Sequence, residues 1–555
     1  MFDALFTTTT EYKKLSHALS GKGACALFGL PASGRAQVYA ALCRQLDKPL
    51  CIVTPGEAEA TRFAADLNTL GIPAAVFPAR DYVLRPIEGT AREYEYRRLA
   101  VLGELVGGRL RAVAVPAEAL TQFTTPKEDF CANTRTLHAG DTLLRDDLLA
   151  ALFGAGYTRR AQVDGPGQFS VRGDIVDIFA PDQKMPVRME FWGDEIDTLH
   201  TFDLTTQRRE DAIDKFYLSP AREVLFGKPA DAAEQLRAFL AKQRGKKKTA
   251  MADCMAADLD LLDGGAVPVN MDKYLAVRYP HPATVLDYFD DPILVAEEPA
   301  SIREADRATA YRRGEELKSL ILDGVLCAGL DNLYADPSYL WSKTGHYRTI
   351  CAENFARSMP DQPLKDIINA PAHTLPAWNG EVAGLLEDLK PLCDAGYTVT
   401  LLAGTDRAAA GLARDLRDKG ILVTTDAAAA PAAGLVQVLA GHLSAGCEFP
   451  FAKYALLTGR AFGETSSQKK KRKKAKDALN SLTEITPGDL VVHQNHGIGR
   501  YAGIQRMAVQ GVTKDYLRIE YDKKDVLYVP VTQLDLLSRY TAPGDSDNVK
   551  LSRLG

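Results

Sequence analysis

The stretch with the strongest chemical signal is Gly29-Leu30-Pro31-Ala32-Ser33-Gly34-Arg35-Ala36, whose glycines keep the G-x-x-x-x-G spacing of a phosphate-binding loop. A working loop of this kind cradles phosphates with its backbone N–H groups. It then needs a lysine to reach the β- and γ-phosphates and a Ser or Thr hydroxyl to hold magnesium. Here those two places carry Arg35 and Ala36. Arginine can still meet a phosphate, but alanine has no oxygen to offer a metal. A structural turn, a weak anion site and a working nucleotide site all remain open, and the chemistry ranks the last lowest. The chain has no intact G-x-x-x-x-G-K-[ST], and no apolar strand ending in a DExx carboxylate pair; Asp194-Glu195 follows Trp192-Gly193 instead. No residue is therefore assigned a catalytic role.

Three other clusters could bind rather than catalyse. His493 and His496 stand three apart, but no Cys or carboxylate sits near them at ligand spacing, so the expected reading is a structural pair and no metal. Around Arg159, Phe169 and Arg172 basic side chains flank apolar runs, which reads either as a docking surface or as an ordinary strand with Phe169 in the core. Lys469, Lys470, Lys471, Arg472, Lys473 and Lys474 belong to a run with seven positive charges in eight residues. Such a run repels itself and is by default a solvated linker; sequence-blind contact with DNA phosphates is the second reading.

The elements that must position these groups alternate. Ala24–Phe28, Leu50–Val53, Ala74–Phe77 and Arg111–Val115 are short apolar strands separated by helical patterns, which predicts a parallel α/β unit over 1–125. Glycines 165, 167, 173 and 193 punctuate short strands in a β-rich insert over 126–212. Longer helical patterns over 213–335 complete the first unit, and a second α/β unit spans 345–460. After the basic linker (465–482), five or so short strands over 483–545 predict a small SH3- or Tudor-like barrel. The fold class is thus multidomain α/β with a degenerate P-loop and a small C-terminal β domain.

Two long motifs carry a family resemblance. Phe169-Ser170-Val171-Arg172-Gly173-Asp174-Ile175-Val176-Asp177-Ile178-Phe179, followed by Arg188-Met189-Glu190-Phe191-Trp192-Gly193-Asp194-Glu195-Ile196-Asp197, resembles the UvrA-binding domain shared by UvrB and the transcription-repair coupling factors (Mfd). The pattern from Gly488 to Tyr501 (G-D-x-V-V-H-x-x-H-G-I-G-R-Y), with Leu527-Tyr528-Val529-Pro530-Val531, resembles the polymerase-interacting domain of Mfd and CarD proteins. The stretch from Phe77 to Arg98 is too short for UvrB's damage-probing hairpin, and the loop is degenerate; both departures favour Mfd over UvrB. The resemblance implies that Arg159, Phe169 and Arg172 contact UvrA. It also implies that an edge strand of the barrel adds to the RNA polymerase β subunit. Asp515–Tyr521 fits that strand, with Leu517 as apolar anchor and Arg518 and Ile519 supporting it; Leu517 and Ile519 as barrel core is the competing reading. In the family these modules precede a motor that uses ATP and magnesium to move on double-stranded DNA, so 546–555 is expected to begin the connection to a motor absent here. A stand-alone CarD-like regulator with an idle UvrB-like module is the alternative.

Composition sets the outer bounds. At 555 residues, 46% apolar and 25% charged, the chain needs several cores. A net charge of −5 leaves any nucleic-acid affinity to local patches. The nine cysteines include no CxxC pair, as expected of reduced thiols. Without a run of about 18 apolar residues or a signal sequence, the expectation is a cytoplasmic protein.

Overall fold

The computed structural model describes residues 7–86, 92–357, 362–378, 382–430, 432–459, 487–493, 496–509, 512–522, 525–530, 537–539 and 552. The basic run 469–476 lies outside them. The first sheet has seven strands in the order Leu364–Asn369, Gly23–Phe28, Arg348–Glu353, Ile293–Glu297, Leu50–Thr54, Ala112–Pro116 and Ala74–Val76. Every pairing in it is parallel. Its central strands are buried along their whole length because helices cover both faces, which is why they read as continuous Val, Ile, Leu, Ala and Cys runs.

Two expected boundaries move. Arg348–Glu353 and Leu364–Asn369, assigned by sequence to a second unit starting at 345, are strands of the first sheet. A local pattern identifies a strand but not the sheet that claims it. The second sheet begins only at His373 and runs His373–Leu375, Gly446–Phe449, Tyr454–Thr458, Thr398–Leu402, Val436–Leu439, Val423–Thr424. Likewise the insert extends past 212, since Lys215–Leu218 pairs antiparallel with Arg135–His138. The insert's main sheet has six strands in the order Arg209–Ala212, Glu195–Phe202, Val187–Trp192, Ile175–Phe179, Gln168–Arg172, Thr158–Arg159.

The C-terminal strands form a five-stranded antiparallel sheet in the order Val526–Pro530, Val512–Glu520, Gly497–Val509, Leu490–His493, Leu537–Arg539. Among the described residues no pairing between the two outer strands closes it, so the expected barrel is not confirmed.

A buried ion network joins the insert's neck to the first module. Arg98 and Glu223 have no exposed surface and meet at 2.6 Å; Arg80 reaches Glu223 at 3.3 Å and Asp272 at 2.7 Å. The Glu223 N–H donates to Glu95 Oε1 at 3.0 Å. Burial alone would raise the Glu95 carboxyl, but the Arg80, Arg92 and Arg222 charges hold it down at about 2. Removing one partner from such a network strands a buried charge. Glu223→Ala should therefore cost about 3–5 kcal/mol in urea unfolding, against no more than about 0.5 kcal/mol for Glu234→Ala on an exposed helical face.

Candidate functional site

The glycine loop is folded as a strand–turn–helix, with Gly29 at φ 87° and the Ala32–Leu46 helix starting after Pro31. Its chemistry is turned inward. Arg35 is 2% exposed and pairs with Glu297 at 2.9 Å and Glu298 at 3.1 Å, and it donates to the Leu30 carbonyl at 3.2 Å. The Tyr39 hydroxyl donates to the other oxygen of Glu297 at 2.6 Å. The second sheet then packs onto the first turns of the helix: Ser33 Oγ donates to the Gly446 carbonyl, and a Cβ on Gly34 would stand 2.9 Å from Cys447 Sγ. The cation that a phosphate would need is already neutralised. Adding ATP and magnesium should leave the melting temperature unchanged, and Arg35→Lys should lower it rather than create nucleotide binding.

In the insert the three predicted contact residues separate. Arg159 is exposed on the edge strand, paired in register with Phe169. Phe169 is fully buried, edge-on to Phe153 at 5.2 Å, and belongs to the core. It cannot serve as a surface anchor, because the hairpin alternation points it to the packed face. Arg172 lies on the opposite face, 46% exposed, where it and Arg188 share one buried carboxylate, Asp177, at 2.5 and 2.7 Å. Two guanidiniums on one carboxylate leave a surplus positive charge facing solvent. Cross-strand register puts Arg172, Ile175, Glu190 and, two residues on, Trp192 on that same face. Trp192 is 82% exposed. Sequence reasoning passed over it as one more strand aromatic; its place directly before the Gly193 turn is the only local signal of exposure.

In the C-terminal sheet, Leu517 and Ile519 are fully buried, and Arg518 is half-exposed and paired with Glu520 at 2.7 Å. Their strand is an inner one, bonded on both sides across 516–520. The expected augmentation edge is therefore not Asp515–Tyr521. The alternation of the strand was legible, but its neighbours were not. Gly497–Val509 pairs with Leu490–His493 only through Gly497–Arg500. A bulge at Ala502 then breaks the register, with Gly503 at φ 112°. Beyond it, Ile504–Val509 keeps its partner on one side, and among the described residues no strand pairs on the other. Ile504 is 46% exposed on this free edge.

The histidine pair also finds a partner that no local spacing could reveal. His493 and His496 both approach Oε1 of Glu93, in the first turn of the Glu93–Val106 helix, at 3.5 and 3.2 Å. Burial drives the His493 imidazole down to about 4, despite the carboxylate beside it.

What these elements define is a multidomain α/β protein with a parallel first sheet and several separate β-rich sheets. Residues 136–224 match the UvrB interaction domain family, and residues 485–541 the CarD-like/TRCF RID domain family. The chain is 28% identical over 544 residues to the transcription-repair-coupling factor of Bacillus subtilis (strain 168), covering 95% of this chain and 46% of the relative. It is 27% identical to that of Staphylococcus haemolyticus (strain JCSC1435) and 25% identical to that of Staphylococcus aureus (strain MRSA252), with the same coverage. The chain spans about half the length of the curated relatives it matches. Both domain matches fall inside one alignment that follows the transcription-repair-coupling factors along nearly the whole of this chain, and an isolated CarD-like regulator is not favoured. Among the described residues no helix is long and apolar enough to cross a membrane.

Placing a charge at Leu517 attacks the core rather than an interface. Leu517→Arg should lower stability by about 3 kcal/mol or more and abolish the folded signal of the C-terminal sheet in circular dichroism.

Proposed function

We propose that this chain is the docking half of a transcription-repair coupling factor: the C-terminal sheet engages the RNA polymerase β subunit, and the insert recruits UvrA. The observation that carries the reading is the pairing, in one chain, of a free strand edge at Ile504–Val509 with a basic, tryptophan-bearing face on the UvrB-like insert. Main-chain groups along a free edge supply affinity for an added strand, and alternate side chains supply selectivity. The basic run 469–476 is assigned to contact with DNA phosphates near the polymerase. ATP-driven translocation on double-stranded DNA, which the resemblance implies for the family, is assigned to the length of the relatives that this chain does not span.

Binding to the isolated N-terminal lobe of the polymerase β subunit tests the first half. Ile504→Arg should weaken it at least about tenfold with the melting temperature unchanged, since the side chain is exposed; wild-type-like binding by this variant would move the interface elsewhere. For UvrA, Trp192→Ala and Arg172→Glu should each weaken association at least about tenfold. Unaltered affinity in both would remove this face from consideration.

A further inference from the structure

The meeting of Glu93, His493 and His496 has a geometry that ion pairing alone does not explain. Both imidazole Nε2 atoms converge on the same carboxylate oxygen, Oε1, at 3.5 and 3.2 Å. The second oxygen, Oε2, is buried and has no hydrogen-bond partner among the described residues. Glu93 is 5% exposed as a side chain, His493 not at all, and His496 about one third. The imidazole rings lie 4.7 Å apart between centroids. One donor atom from each of the three residues lies within 4.8 Å of the others. Beside them the Tyr521 hydroxyl is buried with no hydrogen-bond partner among the described residues, and burial, with the Glu93 charge, pushes its pKa up.

We propose that Glu93, His493 and His496 form a binding site for a zinc-type divalent cation, which fastens the C-terminal sheet to the first module. Two imidazole nitrogens and one carboxylate oxygen are a donor set suited to a borderline cation such as zinc. With bonds of about 2.0–2.1 Å, the ligand atoms of a tetrahedral zinc site stand roughly 3.3 Å apart, close to the two N···O separations here. Three protein donors leave a fourth position for water, and the half-open His496 gives an entry path. The donors come from residues some four hundred apart in sequence, on a helix of the first module and on a turn of the last sheet. A cation here would hold the polymerase-docking sheet at a fixed orientation on the UvrB-like module. The inference stands apart from the docking proposal, since it concerns only how the two parts are joined.

The test uses the full chain, stripped of metal by a chelator and titrated first with Co²⁺ as a visible stand-in and then with Zn²⁺. The wild type should bind a single equivalent of Co²⁺ with the d–d absorption of a tetrahedral site, lose that absorption to one equivalent of Zn²⁺, and melt at a higher temperature with zinc. Glu93→Gln, which keeps the side-chain shape, and His496→Ala, at a half-open position, should both lose the equivalent and the zinc-dependent rise. X-ray absorption on the zinc-loaded wild type should show only nitrogen and oxygen neighbours near 2.0–2.1 Å. No bound equivalent in the wild type, binding that survives in both variants, or a sulfur shell near 2.3 Å that assigns the metal to the cysteines, would each overturn the site.

Discussion

The carboxylate of Glu223 holds the architecture together at its narrowest point. The insert leaves the first module after Thr125 and returns at Glu223, and the Thr125 hydroxyl donates to the Glu223 carbonyl across that neck. The side chain meanwhile takes Arg98 in two-point contact and reaches Arg80, whose guanidinium continues to Asp272 in the helical part. One buried residue thus ties the entry and exit of the insert, the Glu93–Val106 helix and the Met271–Tyr274 turn. Such pairing recovers the cost of burying charge only when every group has its partner. The return for that cost is geometric: a small β domain on a two-strand neck is held at a defined angle, so the face bearing Arg172 and Trp192 points outward.

The same economy of charge explains the glycine loop. A loop preceding a helix N-terminus attracts anions through its N–H groups and dipole. In this chain the attraction is spent internally. Arg35 lies against Glu297 and Glu298 at the end of the Ile293–Glu297 strand, so the carboxylates stand on the arginine where a phosphate would otherwise be drawn. Gly446–Phe449 closes the approach, and Cys447, Phe449, Tyr454 and Leu456 share one apolar core with Tyr39, Leu42 and Phe63. The two α/β sheets are packed through this glycine loop.

How much of this the sequence made legible follows a simple physical division. Features set by local chemistry could be read: the strand–loop–helix at Gly29–Ala36, and the alternation that places Leu517 and Ile519 on one face and Arg518 and Glu520 on the other. Features set by pairing could not. Whether the strand of Leu517 is an edge or an inner one depends on which strands flank it, and both Gly497–Val509 and Val526–Pro530 do. The assignment of Arg348–Glu353 to the first sheet depends on Gly23–Phe28 and Ile293–Glu297, both distant in sequence. Phe169 follows the same rule: its alternation was visible, but the direction of the packed face was not. Glu93 is the extreme case, since no spacing argument around His493 and His496 could bring in a carboxylate from the first module.

A strand edge with no partner among the described residues, as at Ile504–Val509, is a liability, and the structure limits it. An unpaired row of N–H and C=O groups invites any strand, including a second copy of the same edge. The bulge at Ala502 interrupts the register, so only the six residues Ile504–Val509 lie beyond it on this strand. Gly503 makes the turn possible, because its φ of 112° is closed to residues with a side chain. Upstream of the bulge, Gly499 lets Ile519 and Tyr521 press against the strand, where a Cβ would collide with Ile519 at 2.4 Å. Two glycines four residues apart therefore do opposite things: Gly499 seals the strand into the core, and Gly503 releases it. The length of that edge is set by the distance between the release at Gly503 and the end of the strand at Val509.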